Sequence, residues 1–219
     1  MEPMDPSSSP QALRAQLAVR LSPDSAEKVA TVLFEAGGAG HVSELLQELE
    51  ERSAKLAGQA MESLPEMVER CGPEPVGSWL DVVVTLAGLS GAITLKYLNE
   101  SPRLLGILDS VALRHSVLET TLELADSDSE FAANCAFEFF RKAPELLLAD
   151  SQTDLAQWAE IGRELTDWND VLGIEFIREC PKVAEVLALE DVRPWVAFGT
   201  KLITQNLSLI HISEPTRPY

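Results

Sequence analysis

The stretch that decides the fold runs from residue 155 to residue 181 and reads LAQWAEIGRELTDWNDVLGIEFIRECP. Its apolar residues Trp158, Ile161 and Leu165 follow the spacing i, i+3, i+7, which places them on one face of a helix. A second apolar segment, which contains Phe176, follows before the stretch ends in proline. The stretch therefore predicts a hairpin of two amphipathic helices.

The same pattern recurs along the chain. Trp79 and Trp195 align with Trp158, and successive units carry a proline at one position, namely Pro65, Pro102, Pro144 and Pro181, which lie 37, 42 and 37 residues apart. A unit of this size cannot bury its apolar faces alone, so neighbouring units must stack. We predict an all-α fold without a β-sheet, an α-solenoid of helical-hairpin repeats of about 37 residues that resemble tetratricopeptide or HEAT repeats.

The positions shared between the units are predicted to form the repeat core. They are Trp79, Leu86, Tyr97, Pro102, Phe139, Pro144, Trp158, Leu165, Phe176, Pro181, Trp195 and Leu202. Recurrence at one repeat position favours packing over a ladder of ligand-stacking tryptophans. Trp168 lies off this register, near a helix junction, and we expect it to be exposed. The last unit has its first helix but no second, so we expect the native protein to continue or an apolar edge to be exposed.

Helix boundaries are predicted from prolines and capping residues. Proline lacks an amide donor and disfavours a helical conformation of the preceding residue, so we expect each second helix to break there and to restart as a short third helix. Ser78 with Asp81, and Ser151 with Asp154, have the spacing of capping boxes at helix starts. The segment 81–87, DVVVTLA, aligns with a helical segment of a later unit, which predicts a buried helix and not a strand.

The chain divides into three predicted parts. Residues 1–22 form a partly disordered lead with a short helix near residues 11–21, and residues 23–206 form the repeat domain. Residues 207–219, LSLIHISEPTRPY, resemble the in-frame translation of a sequencing adapter. We therefore expect the natural gene to differ from this tail, and His211 within it to have no role.

The charge balance narrows the classes of partner. The net charge is −18, from 35 acidic and 17 basic residues, which argues against nucleic acid and anionic membranes as ligands. A basic protein surface is the natural counterpart, although the acidic residues also serve solubility. The chain shows no signal peptide and no run of about 18 apolar residues, so we expect a cytoplasmic protein without membrane insertion.

Residues capable of chemistry are few and scattered. Cys71, Cys135 and Cys180 form no CxxC pair, which predicts reduced thiols, and Cys180 occupies a position where other units have small residues. His41 and His115 have no catalytic or metal-binding group at a suitable sequence distance. We predict no catalytic, metal-binding or cofactor-binding residues.

The acidic run at residues 126–130 could begin a calcium-binding loop, but such a loop has glycine at its sixth position and glutamate at its twelfth. Neither residue stands at that position here. Its serines, Ser127 and Ser129, also do not have the spacing from Asp126 that the DxSxS metal motif of von Willebrand type A domains requires. The run is therefore interpreted as a solvated loop between two helices.

The repeat units, among them SPRLLGILDS, AFEFFRKAPELL, QWAEIGREL, GIEFIRECPKV and RPWVAFGTKLITQN, resemble the amino-terminal helical-repeat region of bacterial NorD-like nitric oxide reductase activation proteins. The resemblance covers residues 79–206. It implies a helical arm that is followed by a von Willebrand type A domain and that works with a MoxR-type AAA+ ATPase to mature or activate a metalloenzyme. The shared motifs are packing residues, so the resemblance identifies no functional residue here.

Three functions are compatible with these features. The first is a non-catalytic adaptor arm that holds a client or the ATPase. The second is a stand-alone tetratricopeptide-like scaffold for protein–protein interaction. The third, an enzyme, requires a site that lies beyond this sequence or combines groups that the sequence does not bring together.

Overall fold

The computed structural model describes residues 10–126, 130–188, 191–198 and 201, and the regular elements in these residues are all helices. They are α1 (Pro10–Leu17), α2 (Pro23–Glu35), α3 (Ala39–Arg52), α4 (Ala54–Cys71), α5 (Val76–Leu89), α6 (Gly91–Gly106), α7 (Val111–Ala125), α8 (Glu130–Ala149), α9 (Leu155–Trp168) and α10 (Asp170–Ala184). Residues 191–198 are helical as well. The all-α prediction is confirmed, and the segment 81–87 is helix, as expected.

The helices form two layers. The first layer contains α1, α3, α5, α7 and α9, each packed against the next, and the second layer contains α2, α4, α6, α8 and α10 in the same order. Each first-layer helix also packs against the second-layer helix that follows it in the chain. Stacked antiparallel hairpins of this kind are the arrangement of an α-solenoid. The period of about 37 residues stays a prediction.

Helix α1 is part of this helical body. Leu13 and Leu17 are fully buried, and the helix packs against α2 and α3. The short helix that the sequence predicted in the lead therefore contributes to the core. Residues 1–9, the remainder of the lead, lie outside the described part of the chain.

Most of the predicted repeat core is buried. The Trp79 indole Nε1 donates a hydrogen bond of 2.7 Å to Ser101 Oγ, and the Tyr97 and Phe140 rings lie 4.6 Å apart. Trp158 stacks on Phe176 with ring centroids 5.8 Å apart. Eight predicted core residues are buried, namely Trp79, Leu86, Tyr97, Pro102, Phe139, Pro144, Trp158 and Leu165. Phe176 and Pro181 are half-buried.

Trp195 departs from the prediction. Its side chain is 61% exposed, so its assignment to the core is wrong for the described chain. Trp79 and Trp158 contact the second-layer helix of their own hairpin, whereas no residue described by the structure supplies such a helix for Trp195. Leu202 lies outside the described residues. Trp168, at the end of α9, is exposed, as predicted.

The predicted helix breaks at proline are wrong. The helices continue through all four prolines, which lie inside α4, α6, α8 and α10. A proline inside a helix costs about 3 kcal/mol through its missing hydrogen bond and its ring. The turns that follow bury Met67, Leu105 and Leu146, and each such side chain contributes about 1.5–3 kcal/mol. In α4, α6 and α8, burial therefore helps to offset the cost of the proline.

The prediction of which residues cap α5 and α9 is also wrong in part. Helix α5 begins at Val76 after Pro75, so Ser78 lies within its first turn. The N-cap of α9 is Asp154, whose carboxylate accepts a hydrogen bond of 3.1 Å from the backbone nitrogen of Gln157. Ser151 precedes that helix and does not cap it.

Candidate functional site

The outer surface of α3, α5, α7 and α9, called here the first-layer surface, brings together residues that are distant in sequence. Nε2 of His41 on α3 lies 3.4 Å from Oδ1 of Asp81 on α5. A Cβ atom on Gly77 would lie 3.1 Å from Cδ2 of His41, so the absence of a side chain at Gly77 gives the imidazole room. The pair links two neighbouring repeat units across the exposed face of the layer.

A cleft of about 430 Å³ lies between α5 and α7. Its lining includes Asp81, His115 and Glu119, together with Leu118 and Leu122. Leu118 is fully buried and Leu122 is half-buried, so the cleft has an apolar floor beneath a polar rim. Such a combination suits an amphipathic ligand, because its apolar side chains can be buried while its polar groups are satisfied at the rim.

A second cleft, of about 240 Å³, lies between α7 and α9. Its lining includes Glu123, Leu124, Gln157, Glu160 and Arg163. Helix α7 contributes to both clefts, so they are neighbours on the first-layer surface. The two clefts, one on each side of α7, are together called the track.

Basic residues are distributed unequally between the layers. The lysines within α1–α10 all lie on second-layer helices, one on each helix, at Lys28, Lys55, Lys96, Lys142 and Lys182. The first-layer helices contain no lysine. This segregation leaves the first layer dependent on arginine for any positive charge.

Two arginines of the first layer are engaged in structural contacts. Arg52 donates a hydrogen bond of 2.9 Å to the Val84 carbonyl and also pairs with Glu48. Arg114 donates to three carbonyl oxygens, those of Cys71, Leu105 and Leu108. A third arginine, Arg163 of α9, is exposed at the second cleft. Exposed carboxylates such as Glu44, Glu51, Glu119 and Glu123 outnumber it, so the first-layer surface has a negative potential.

The second layer contains ion pairs that connect neighbouring helices. Arg141 on α8 lies 3.2 Å from Glu100 on α6, and Glu138 on α8 lies 3.2 Å from Arg178 on α10. Arg141 also pairs with Glu138, and Arg178 pairs with Glu175. These five residues form a ladder of alternating charge across three hairpins. Both layers carry more acidic than basic residues, but the first-layer helices have fewer basic residues to pair with their acids.

The metal-ligating side chains of the described residues are dispersed, and the thiols are buried. No group of three or more His, Cys, Asp or Glu among them is arranged to hold a metal ion. All three cysteines are described, all are buried, and none forms a disulfide. Burial raises the pKa of the Cys180 thiol to about 12 and also raises the pKa of Cys71. Both thiols are therefore protonated at neutral pH and are poor nucleophiles, as expected for Cys180.

Sequence reasoning assigned no role to His41 and His115 and did not identify the clefts. His41 and Asp81 are 40 residues apart, so no local motif marks their contact. The absence of lysine from first-layer helices is visible in the sequence, but only after each helix has been assigned to a layer. Asp128, in the acidic run, lies outside the residues that the structure describes.

Comparisons of the chain with protein-family models, with curated proteins and with solved structures gave no match. Within the described part of the chain, no helix has the length and apolar character needed to cross a bilayer. Functional inference therefore starts from the first-layer surface itself.

Proposed function

We propose that the chain is a non-catalytic protein-binding arm of the cytoplasm, and that its first-layer surface binds a basic segment of a partner protein. The observation that carries this proposal is the segregation of lysine to the second layer, which leaves exposed carboxylates along both clefts. Complementary charge increases the association rate and selects among partners. Solenoid repeats commonly bind proteins along such an extended surface.

The clefts favour an amphipathic basic helix as the bound segment. Half-buried Leu122 provides an accessible apolar contact in the first cleft, while Asp81 and Glu119 stand at its rim. A helix with leucine on one face and lysine or arginine on its flanks would bury the former and pair the latter. Exposed ion pairs are screened by salt, so binding should weaken as the ionic strength rises.

A charge-reversal experiment tests this proposal. The substitutions Asp81→Lys, Glu119→Lys and Glu123→Lys are combined in one variant of the full chain. Binding of a fluorescent amphipathic Lys/Leu peptide is measured by anisotropy at about 50 and 300 mM NaCl. We expect the variant to bind about tenfold or more weakly than the original chain, and the original chain to lose affinity at the higher salt.

The matched control reverses the charge of three exposed carboxylates of the second layer, two on α4 and one at the end of α10. Its substitutions are Glu62→Lys, Glu69→Lys and Glu185→Lys. It changes the net charge by the same amount, and we expect its affinity to stay within about twofold of the original. Equal losses in both variants would show that the peptide responds only to net charge, and the first-layer surface would not be the binding site.

The resemblance supports a narrower form of this proposal. The chain is then the helical arm of a NorD-like protein, and its partner is a MoxR-type AAA+ ATPase or the metalloenzyme that such a protein matures, as in nitric oxide reductase activation. The alternative is a stand-alone tetratricopeptide-like scaffold. Titration of the chain into a purified MoxR-type ATPase separates the two, because the adaptor predicts binding that the first-layer charge reversal abolishes, whereas the scaffold predicts none.

A further inference from the structure

The two clefts of the track differ in the charges that they offer to a ligand. In the first cleft Asp81 and Glu119 stand at the rim, and the described lining contains neither lysine nor arginine. The second cleft also has acidic residues in its lining, but Arg163 of α9 lies among them and is exposed. A ligand that occupies the track therefore meets an arginine on one side of α7 only.

Most carboxylates of the second cleft are already engaged within the chain. The Asp154 carboxylate accepts hydrogen bonds from the backbone nitrogen of Gln157 at 3.1 Å and from its side-chain Nε2 at 2.8 Å. Glu160 pairs with Arg193. Glu123 is exposed and forms no ion pair with another described residue. The second cleft is therefore less able than the first to attract a basic side chain.

The Arg163 side chain is available to a ligand. It is exposed, and it forms neither an ion pair nor a hydrogen bond with another described residue. A guanidinium group presents its donors in one plane and can bind a carboxylate through two parallel hydrogen bonds. A lysine of the ligand at the same place would face a like charge, which disfavours binding. Arg163 therefore favours an acidic residue of the ligand at the second cleft.

The position of the clefts sets the spacing of the ligand residues that face them. Both clefts border α7, so a helix that occupies both must cross α7 and span roughly one interhelical distance of 8–10 Å. A helix rises about 1.5 Å per residue, so about six or seven residues cover this span. Residues i and i+7 also lie on one face of a helix. A pair with this spacing can therefore face the two clefts together.

We propose that Arg163 selects the charge pattern of the bound helix, with a basic residue over the first cleft and an acidic residue about seven positions away that faces Arg163. This inference rests on the proposed binding of a basic segment to the first-layer surface and adds a condition to it. A uniformly basic helix still reaches Asp81 and Glu119, but it places a positive charge against Arg163. The preferred segment is basic overall and has one acidic position.

The test uses the full chain and two fluorescein-labelled Lys/Leu helical peptides of identical composition. The facing peptide has Lys at position i, Glu at i+7 and Lys at i+9, whereas the opposed peptide exchanges the last two residues and so moves Glu to the other side of the helix. Fluorescence anisotropy measures both affinities. The buffer is held at about pH 8, above the usual titration range of histidine, because His41 and His115 lie at the first cleft.

The original chain should bind the facing peptide about threefold or more tightly than the opposed peptide, as expected for an exposed ion pair in place of a like-charge contact. Arg163→Glu should invert this order, and Arg163→Gln should bring the two affinities within about twofold of each other. Arg103→Glu is the matched control, because Arg103 is exposed on α6 in the second layer and its substitution changes the net charge by the same amount. It should retain the original order.

Three outcomes would overturn this inference alone. They are equal affinities of the original chain for the two peptides, tighter binding of the opposed peptide, and an inversion that Arg103→Glu produces as well as Arg163→Glu. In each case, binding that the first-layer charge reversal weakens would leave the proposed function standing. Failure of both peptides to bind the original chain would overturn the two proposals together.

Discussion

Trp79 and Ser101 form a specific polar contact inside an otherwise apolar core. The indole Nε1 is buried and has Ser101 Oγ as its acceptor at 2.7 Å. The equivalent positions of later units are Ala143 and Cys180, which are also small and buried. A small residue before the proline is therefore a packing requirement, to which the α5–α6 hairpin adds a hydrogen bond.

Replacement of Ser101 by Ala should destabilise the protein by about 1–3 kcal/mol, because the buried indole donor would lose its acceptor. Urea unfolding followed by circular dichroism measures the change. Trp79→Phe in the same background provides the control. Once the donor is gone, Ser101→Ala should cost much less, and additive losses would argue against the hydrogen bond as the cause.

The buried Cys180 thiol predicts a pH dependence of stability. Its folded pKa is raised to about 12 by burial, whereas an unfolded thiol titrates near about 8.5. The folded state therefore holds the proton more tightly, and its contribution to stability is complete below about pH 8.5 and is lost as the pH rises toward 12. Cys180→Ala, which matches Ala143 of the preceding unit, should lose less unfolding free energy between about pH 7 and pH 10.

Urea unfolding at the two pH values tests this expectation. The variant retains part of the decline, since burial also raises the pKa of Cys71 and Tyr97. Identical declines in both proteins would show that Cys180 does not contribute.

At the scale of elements, helices α9 and α10 approach closely at a glycine. A Cβ atom on Gly173 would lie 2.6 Å from the backbone nitrogen of Thr166 and 2.7 Å from its Cα. The Thr166 hydroxyl donates a hydrogen bond of 2.9 Å to the Gly162 carbonyl and lies 3.7 Å from Cys135 Sγ. The obstacle is backbone, which a rotamer change cannot move.

Gly173→Ala should therefore destabilise the protein by about 1–3 kcal/mol, the usual cost of overpacking, despite the higher helix propensity of alanine. Gly91→Ala is the matched control, because the nearest atom to its Cβ would be Leu56 Cδ1 at 4.0 Å. We expect this control to be neutral or stabilising by up to about 1 kcal/mol. Thermal denaturation of both variants measures the difference, and a stable Gly173→Ala protein would contradict the close approach.

At the scale of the whole molecule, the charge ladder of the second layer connects three hairpins. Glu138 is its central residue, with a side chain that is only 12% exposed and contacts at 3.2 Å to both Arg141 and Arg178. The ladder gives successive units an electrostatic contact in addition to their apolar packing. On the first-layer surface the described ion pairs of arginine are fewer, namely that of Arg52 with Glu48 and those of Arg193 with Glu160 and Glu164.

Glu138→Gln should lower the unfolding free energy by about 1 kcal/mol at low salt and by less in about 1 M NaCl, where the ion pairs are screened. Glu145→Gln removes one exposed pair with Lys142 and should cost about 0–0.5 kcal/mol. Urea unfolding at both salt concentrations compares the two. A loss for Glu138→Gln that does not depend on salt would assign the effect to packing.

Local periodicity was sufficient to predict the helical class, the hairpin units and the burial of Trp79 and Trp158. These features follow from the spacing of apolar residues within one helix, and recurrence identifies the positions that neighbouring units share. Exposed Trp195 occupies the same register and shows the limit of that reasoning. Burial depends on whether another helix covers the residue, which its own neighbours in sequence do not reveal.

The helix continuations at proline, the cap of α9 and the first-layer clefts required the three-dimensional arrangement. Burial of residues such as Leu105 helps to offset the local cost of proline, and that burial exists only after neighbouring helices pack. The His41–Asp81 contact joins residues 40 positions apart. Stacking of whole helices sets such distances and also the segregation of charge between layers, whereas sequence spacing sets only the face of a helix on which each residue lies.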